Sequence, residues 1–387
     1  MRAVASPDPE VDDEPGNRAL HLVADGLEGG EQPSILGPTA APGEADRLHL
    51  PRLSRHTITL DDGHRVSVAV CGKGVPLVLV HGFSAEGMLY AQSLWRLVDM
   101  GFKVVAIDAA GHGGTQGVPT GGGDFGSYSE LLGRVIETLG IRHAVLAGHS
   151  MGGRLVTQYA AENPDQVLAV LLIDAIVGQT WDRIVWASRL CPPVLAGVGG
   201  ILVLDTLSTV PLFRDREQAA KLLSLVAPTL LGHVRRPWRL VGPAVSIIRS
   251  GASTPMLEQI RVRRIPVFAV HGDRDVVVPL STGRDAARRT AGELVVVEGA
   301  SHSWVLKDPE AMPAIVHELM RGRLGTAVLR AKGRAGLEAG ASADEVEASE
   351  HFYEPDSLVA ALTPQQSWQD DETLHRAPRY HWHIERD

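Results

Sequence analysis

The chain has 387 residues, of which 44% are hydrophobic and 21% charged, and a net charge of -9. That length allows one large domain or two small ones, and the mild acidity, without any basic run, argues against a nucleic-acid partner. Cys71 and Cys191 are the two cysteines; they imply no disulfide framework and read as small apolar fillers. The first eight residues lack the apolar core of a secretory signal, so a cytoplasmic location is expected.

Residues 1–50 are rich in Asp, Glu, Pro and Gly with little periodicity, and read as a disordered N-terminal extension. Residues 56–60 and 65–70 alternate as a hairpin around Asp61-Asp62-Gly63. The runs 76–80 and 103–107 are continuously apolar, as strands covered on both faces should be. A helix carrying Leu89, Leu94, Trp95 and Leu97 joins them. Another, over 128–139, leads into a short buried strand at 143–147. A helix follows over 154–161 and ends near Asn163-Pro164, and a further strand ends at Asp174.

Residues 178–262 interrupt this alternation. They are helical in pattern, with Trp181, Trp186, Leu190, Leu222, Leu223, Leu225, Val226, Trp238 and Leu240. The run 194–213 is long enough for a membrane span. Gly197, Gly199, Gly200, Asp205 and its position inside a domain weigh against that, so no transmembrane span is expected. A helical lid over an apolar pocket accounts for the run better. Arg183, Arg189, Arg235 and Arg236 either meet an anionic substrate or lie on solvated helix faces. Strands resume at 266–270 and 293–297. From 326 the chain is polar again, with a linker or weak helix at 341–347. Its last forty residues hold Phe352, Tyr353, Trp368, Tyr380 and Trp382, read either as a tail packed loosely on its own domain or as a docking segment. His381-Trp382-His383 is read as a chance H-x-H rather than a metal site.

The chemistry centres on Gly148-His149-Ser150-Met151-Gly152, a G-x-S-x-G between a buried strand and a helix. A serine at such a turn is held in a strained conformation, and small residues two positions either side let strand and helix pass closely. This turn type calls for an acid next and a histidine last. Asp273 and Asp275 follow the strand 266–270, Asp174 follows an earlier one, and His302 follows 293–297. All stand at the carboxyl ends of strands, where open parallel sheets hold their sites. His302 would take the proton of Ser150 during attack and return it to the leaving group. His149 should point away from the serine, His81 should brace its loop, and His112 should be structural. No H-E-x-x-H or paired-Cys spacing occurs, so no metal or other cofactor is expected.

With these motifs in order, the chain resembles the α/β-hydrolase superfamily, in its serine-nucleophile branch with a helical lid. The resemblance spans residues 56–323. It rests on His81-Gly82-Phe83, on Asp108-Ala109-Ala110-Gly111-His112-Gly113, on the serine turn, and on the Asp and His loops. It implies an α/β fold: a mostly parallel central sheet with helices on both faces and an inserted lid. The family pattern G-x-x-D-x-x-x-P matches Gly272, Asp275 and Pro279, making Asp275 the catalytic acid, with Asp273 and Asp174 as alternatives. The oxyanion donors it implies are the amides of Met151 and Phe83. The domains expected are 1–50 as extension, 51–177 with 263–325 as hydrolase core, 178–262 as lid, and 326–387 as polar C-terminal extension.

The function so implied is hydrolysis of a carboxylic ester, or a related acyl bond, of a hydrophobic small molecule through an acyl-enzyme. Peracid formation with halogenation, carbon–carbon hydrolysis and acyl transfer use the same triad in relatives. A non-catalytic receptor or partner-binding protein is the reading from another class. The oligomeric state stays open.

Overall fold

The computed structural model describes residues 53–118, 123–191, 235–362, 367–368 and 377–385, with scattered positions between 193 and 232. The extension expected over 1–50, most of the apolar run 194–213, and Leu222 and Leu225 lie outside the described residues.

Among the described residues, ten strands form one sheet. They are β1 (Leu53–Thr59), β2 (Arg65–Cys71), β3 (Val75–Val80), β4 (Phe102–Ile107), β5 (Ala144–His149), β6 (Val167–Ile173), β7 (Val267–Gly272), β8 (Glu293–Val297), β9 (Ser367–Trp368) and β10 (Trp382–Glu385). Their order is β10-β8-β7-β6-β5-β3-β4-β2-β1-β9. Strands β3 to β8 pair in parallel throughout. The hairpin β1–β2 joins them antiparallel through β4, with Thr59 opposite Arg65 across the turn.

In β3, β4, β5, β6 and β7 every residue is buried. Successive side chains point to opposite faces, so full burial requires helices on both. They include α1 (Ala91–Leu97), α2 (Phe125–Thr138) and α3 (Met151–Glu162) before the insertion. Asp124 caps α2, its carboxylate accepting from Gly126 N at 3.0 Å.

Strand β4 follows β3 on one side, whereas β5 returns to the other. This reversal is a topological switch point, and the carboxyl ends of β3 and β5 border its crevice.

Between β6 and β7 the chain forms α4 (Gly178–Leu190), α5 (Val241–Arg249) and α6 (Thr254–Val262). Polar side chains pin this insertion. Asp182 accepts from the backbone N–H groups of Ser253 and Thr254 and from both hydroxyls, capping α6. Arg189 donates to the carbonyls of Ile248 and Ser250, at the open end of α5. Arg189 is exposed and at the same time ties α4 to the end of α5. Buried Arg154, on α3, donates to Gly251 O and lies 5.4 Å from the Phe125 ring centroid. Among the apolar residues of the insertion, Trp181 is buried, whereas Trp186 is 62% exposed and Trp238 65%. No described helix is long and apolar enough to cross a membrane.

After β7 come α7 (Leu280–Thr290), α8 (Trp304–Lys307), α9 (Ala311–Met320), α10 (Arg323–Arg334), α11 (Ala343–Glu347) and α12 (Leu358–Ala361). The polar extension expected from 326 thus begins inside α10. Described residues of it pack on the domain: Phe352 and Tyr353 are buried, and Tyr353 donates to Gly74 O. Strands β9 and β10 then pair antiparallel with β1 and β8, covering both former sheet edges. His383 lies on β10 with its Nδ1 3.1 Å from Glu298 Oε1, a surface contact. Cys71 is buried as a filler should be, but Cys191 is exposed just past α4.

Candidate active site

Ser150 has φ 51° and ψ -113°, with β5 ending one residue before it and α3 starting one residue after. This left-handed conformation is strained for a residue with a side chain. It compresses the turn to a single residue, so α3 begins at Met151 rather than near Arg154. Backbone bonds hold the turn: Ser150 N donates to Ile173 O at 2.9 Å, and Ile176 N donates to Ser150 O at 3.2 Å. The glycines are required by contact. A Cβ on Gly148 would lie 2.4 Å from Gly152 O, and one on Gly152 would lie 2.0 Å from Val80 O.

His302 and Asp275 are brought together: His302 Nδ1 lies 2.7 Å from Asp275 Oδ2, with both side chains fully buried. The other carboxylate oxygen accepts from Val277 N and Val278 N, each at 2.8 Å. Burial works against ionising Asp275. The positive potential of His302 and these hydrogen bonds outweigh it and hold the pKa below the usual carboxylate value. His302 Nε2 is buried and has no hydrogen-bond partner among the described residues. A general base needs that nitrogen free.

The alternative acids are occupied elsewhere. Asp273 accepts from Gly299 N at 2.7 Å, a loop cap. Asp174 accepts from Gly272 N at 2.9 Å and from Trp304 Nε1 at 2.6 Å. Burial first, and then the neighbouring Asp275 charge, push its pKa well up.

Asp174, His271 and Asp275 offer ligand atoms within 4.8 Å of one another. The cluster does not suit a metal ion. His271 Nε2 donates to Val278 O at 2.8 Å, and the carboxylate oxygens already face the donors named above.

The loop after β3 abuts the serine. A Cβ on Gly82 would lie 3.3 Å from Ser150 Cβ. His81 braces this loop, donating through Nδ1 to Gly82 O at 2.7 Å while its Nε2 accepts from Ala109 N at 2.9 Å. His112 Nε2 accepts from Ser84 N at 3.3 Å, a structural role. Phe83 therefore sits in a braced loop beside Ser150. Met151 is the first residue of α3, where backbone N–H groups lack intrahelical acceptors.

Sequence reading missed Trp304, Tyr90 and Asp205. Tyr90 Oη lies 2.7 Å from His149 Nδ1. Asp205 Oδ2 accepts from Ser303 N at 2.7 Å, beside His302. A charge inside the apolar run 194–213 was the one signal of such a contact. Two larger surface clefts, of about 890 and 1020 Å³, border none of Ser150, Asp275 and His302.

Fold and site together define an α/β hydrolase. The family model described as serine aminopeptidase, S33, matches residues 75–310, and the chain belongs to that family. A putative non-heme haloperoxidase of Mycobacterium phage D29 is 34% identical over 265 residues, covering 67% of this chain and 92% of that protein. A non-heme chloroperoxidase of Kitasatospora aureofaciens is 28% identical, covering 63% and 90%. An esterase of a Rhodococcus species has a similar fold, with a TM-score of 0.54 at 21% identity, covering 70% of this chain and 99% of that one.

Proposed function

We propose that the protein is a serine hydrolase that cleaves a carboxylic ester, or a related acyl bond, of a hydrophobic small molecule through an acyl-enzyme on Ser150. The carrying observation is the pairing of a strained serine at the strand–helix turn with a buried His302–Asp275 couple whose outer nitrogen is free. Serine is a weak nucleophile until a base takes its proton. His302 Nε2 is the base in this reading. Asp275 fixes the tautomer with the proton on Nδ1 and stabilises the imidazolium. The amides of Met151 and Phe83 receive the oxyanion. The insertion 178–262 serves as the lid and sets the acyl or alcohol group accepted.

A second reading is peracid formation from a short organic acid and peroxide on the same triad. The two haloperoxidase relatives favour it. A series of p-nitrophenyl esters separates the two. Each methylene buried in the transition state contributes up to about 0.8 kcal/mol, roughly fourfold in kcat/KM. An esterase with an apolar pocket should peak at an intermediate acyl chain. Highest turnover on acetate, with bromination of a dye in acetate and peroxide, would favour the peracid reading. Absence of sustained turnover on any acyl donor would point to a receptor.

A further inference from the structure

One polar chain near Ser150 takes no part in the mechanism above. It starts in the loop after β3, where Gly82 N–H donates to Tyr90 Oη at 3.3 Å. Tyr90 Oη lies 2.7 Å from His149 Nδ1. His149 Nε2 lies 3.1 Å from the backbone carbonyl of His302. A carbonyl only accepts, so Nε2 carries the proton and Nδ1 is the bare acceptor. Tyr90 must then donate to Nδ1, which leaves an oxygen lone pair for Gly82 N–H. Every donor is matched in one direction, and a single histidine tautomer satisfies the set.

The three attachment points are the three loops the proposed chemistry needs. Gly82 precedes Phe83, His149 precedes Ser150, and the carbonyl belongs to His302 itself. Tyr90 and His149 are 2% and 4% exposed, so water does not compete for these bonds. Their rings meet edge-on at 5.8 Å, and the His149 ring lies 4.9 Å from that of His302 at a 36° tilt. The packing leaves no slack: a Cβ on Gly82 would come within 2.8 Å of His149 Nδ1.

We infer that Tyr90 and His149 are positioning residues, a polar clamp that holds the oxyanion loop, the nucleophile turn and the base loop in mutual register. The buried position of the clamp also keeps His149 neutral. The groups facing it are Tyr90, His302, Asp275 and His81. Burial, followed by the charge of His302, brings its pKa down to about 3. A second imidazolium beside His302 would oppose the one that forms during acyl transfer. Tyr90, by occupying Nδ1, blocks the one nitrogen that could take that proton.

This inference rests on the serine-hydrolase reading, and the test separates the two. Wild type and Tyr90→Phe are titrated with a fluorophosphonate, following both the labelled fraction at completion and the rate constant across pH. Tyr90→Phe removes one oxygen and keeps the ring. The labelled fraction should stay at the wild-type level, while the rate constant falls about tenfold or more, since small misplacements of reacting groups cost up to about a hundredfold. Ester kcat should fall by the same factor with KM within about twofold. The pH profile should keep its wild-type shape, because burial and the charge of His302 still hold His149 neutral. His149→Phe should lose at least as much, and the double variant no more than His149→Phe alone, because the pair acts as a unit. An unchanged rate constant in Tyr90→Phe, a loss confined to the labelled fraction, or losses that multiply in the double variant would each overturn the clamp. A wild-type chain that does not label at all would overturn the nucleophile assignment and the clamp with it.

Discussion

Asp174 and Asp275 approach the same nitrogen, His271 Nε2, at 3.8 and 3.7 Å, yet Asp275 is the one that reaches His302 Nδ1. The two carboxylates stand in one buried pocket with opposite electrostatics. Asp275 is held ionised by its neighbours, whereas burial and the Asp275 charge push Asp174 toward its neutral form. Like charges so close do not ionise equally.

Substitutions should follow that division. Ser150→Ala and His302→Ala should each abolish ester turnover, and the pair together should be no worse than either alone. Asp275→Asn should cut kcat by several orders of magnitude, as wrong-tautomer variants do. Asp273→Asn should be mild, because that side chain caps Gly299 N. Steady-state kinetics of the set decides. A near-normal Asp275→Asn beside a crippled Asp273→Asn would reassign the acid. Dialysis against a chelator should leave turnover unchanged, since the ligand atoms of the Asp174–His271–Asp275 cluster are committed to protein donors and acceptors.

Stability should fall on mild acidification. His149 is buried and neutral, its pKa lowered from 6.5 to about 3 by burial and then by His302, and burial lowers that of His271 as well. The unfolded chain binds these protons below about pH 6.5 and the folded chain does not. The stability each contributes is therefore full above pH 6.5 and lost as pH falls toward the folded value. Across that window the loss from His149 alone is on the order of a few kcal/mol. Urea unfolding between pH 7.5 and 4 measures it. A free energy flat over that range would contradict the buried neutral state.

The glycines of the nucleophile turn should tolerate no side chain. Gly152→Ala would put a Cβ 2.0 Å from Val80 O, and Gly148→Ala would put one 2.4 Å from Gly152 O, both against backbone that cannot yield. Either should abolish labelling by a fluorophosphonate and lower Tm. Gly117→Ala, with nothing within 4 Å of the added carbon, is the control and should match wild type.

The C-terminal segment should contribute to stability. Phe352 is fully buried, and Tyr353 Oη bonds to Gly74 O next to β3. Phe352→Ala should cost about 3–5 kcal/mol by transfer and cavity terms. Denaturant midpoints at constant m would show it. A loss under about 1 kcal/mol would mean the segment is only loosely attached.

Local patterns carried much of this protein in its sequence. The continuous apolar runs of β3 and β4, the hairpin around Asp61-Asp62-Gly63, and Gly148-His149-Ser150-Met151-Gly152 each state their structure within a few residues. Periodicity and turn chemistry act over such short spans, and the chain order serine, acid, histidine follows from the turn type. Tertiary structure alone decided the rest. Trp304 reaches Asp174 across 130 positions, and Arg142 N bonds to Phe352 O. The tail, polar on average, returns to pair with β1 and β8. Tyr90 finds His149 across 59 positions, and His149 finds the carbonyl of His302 across 153. Such contacts leave no periodic trace, because each depends on a single donor and acceptor that the finished sheet brings within 3.5 Å.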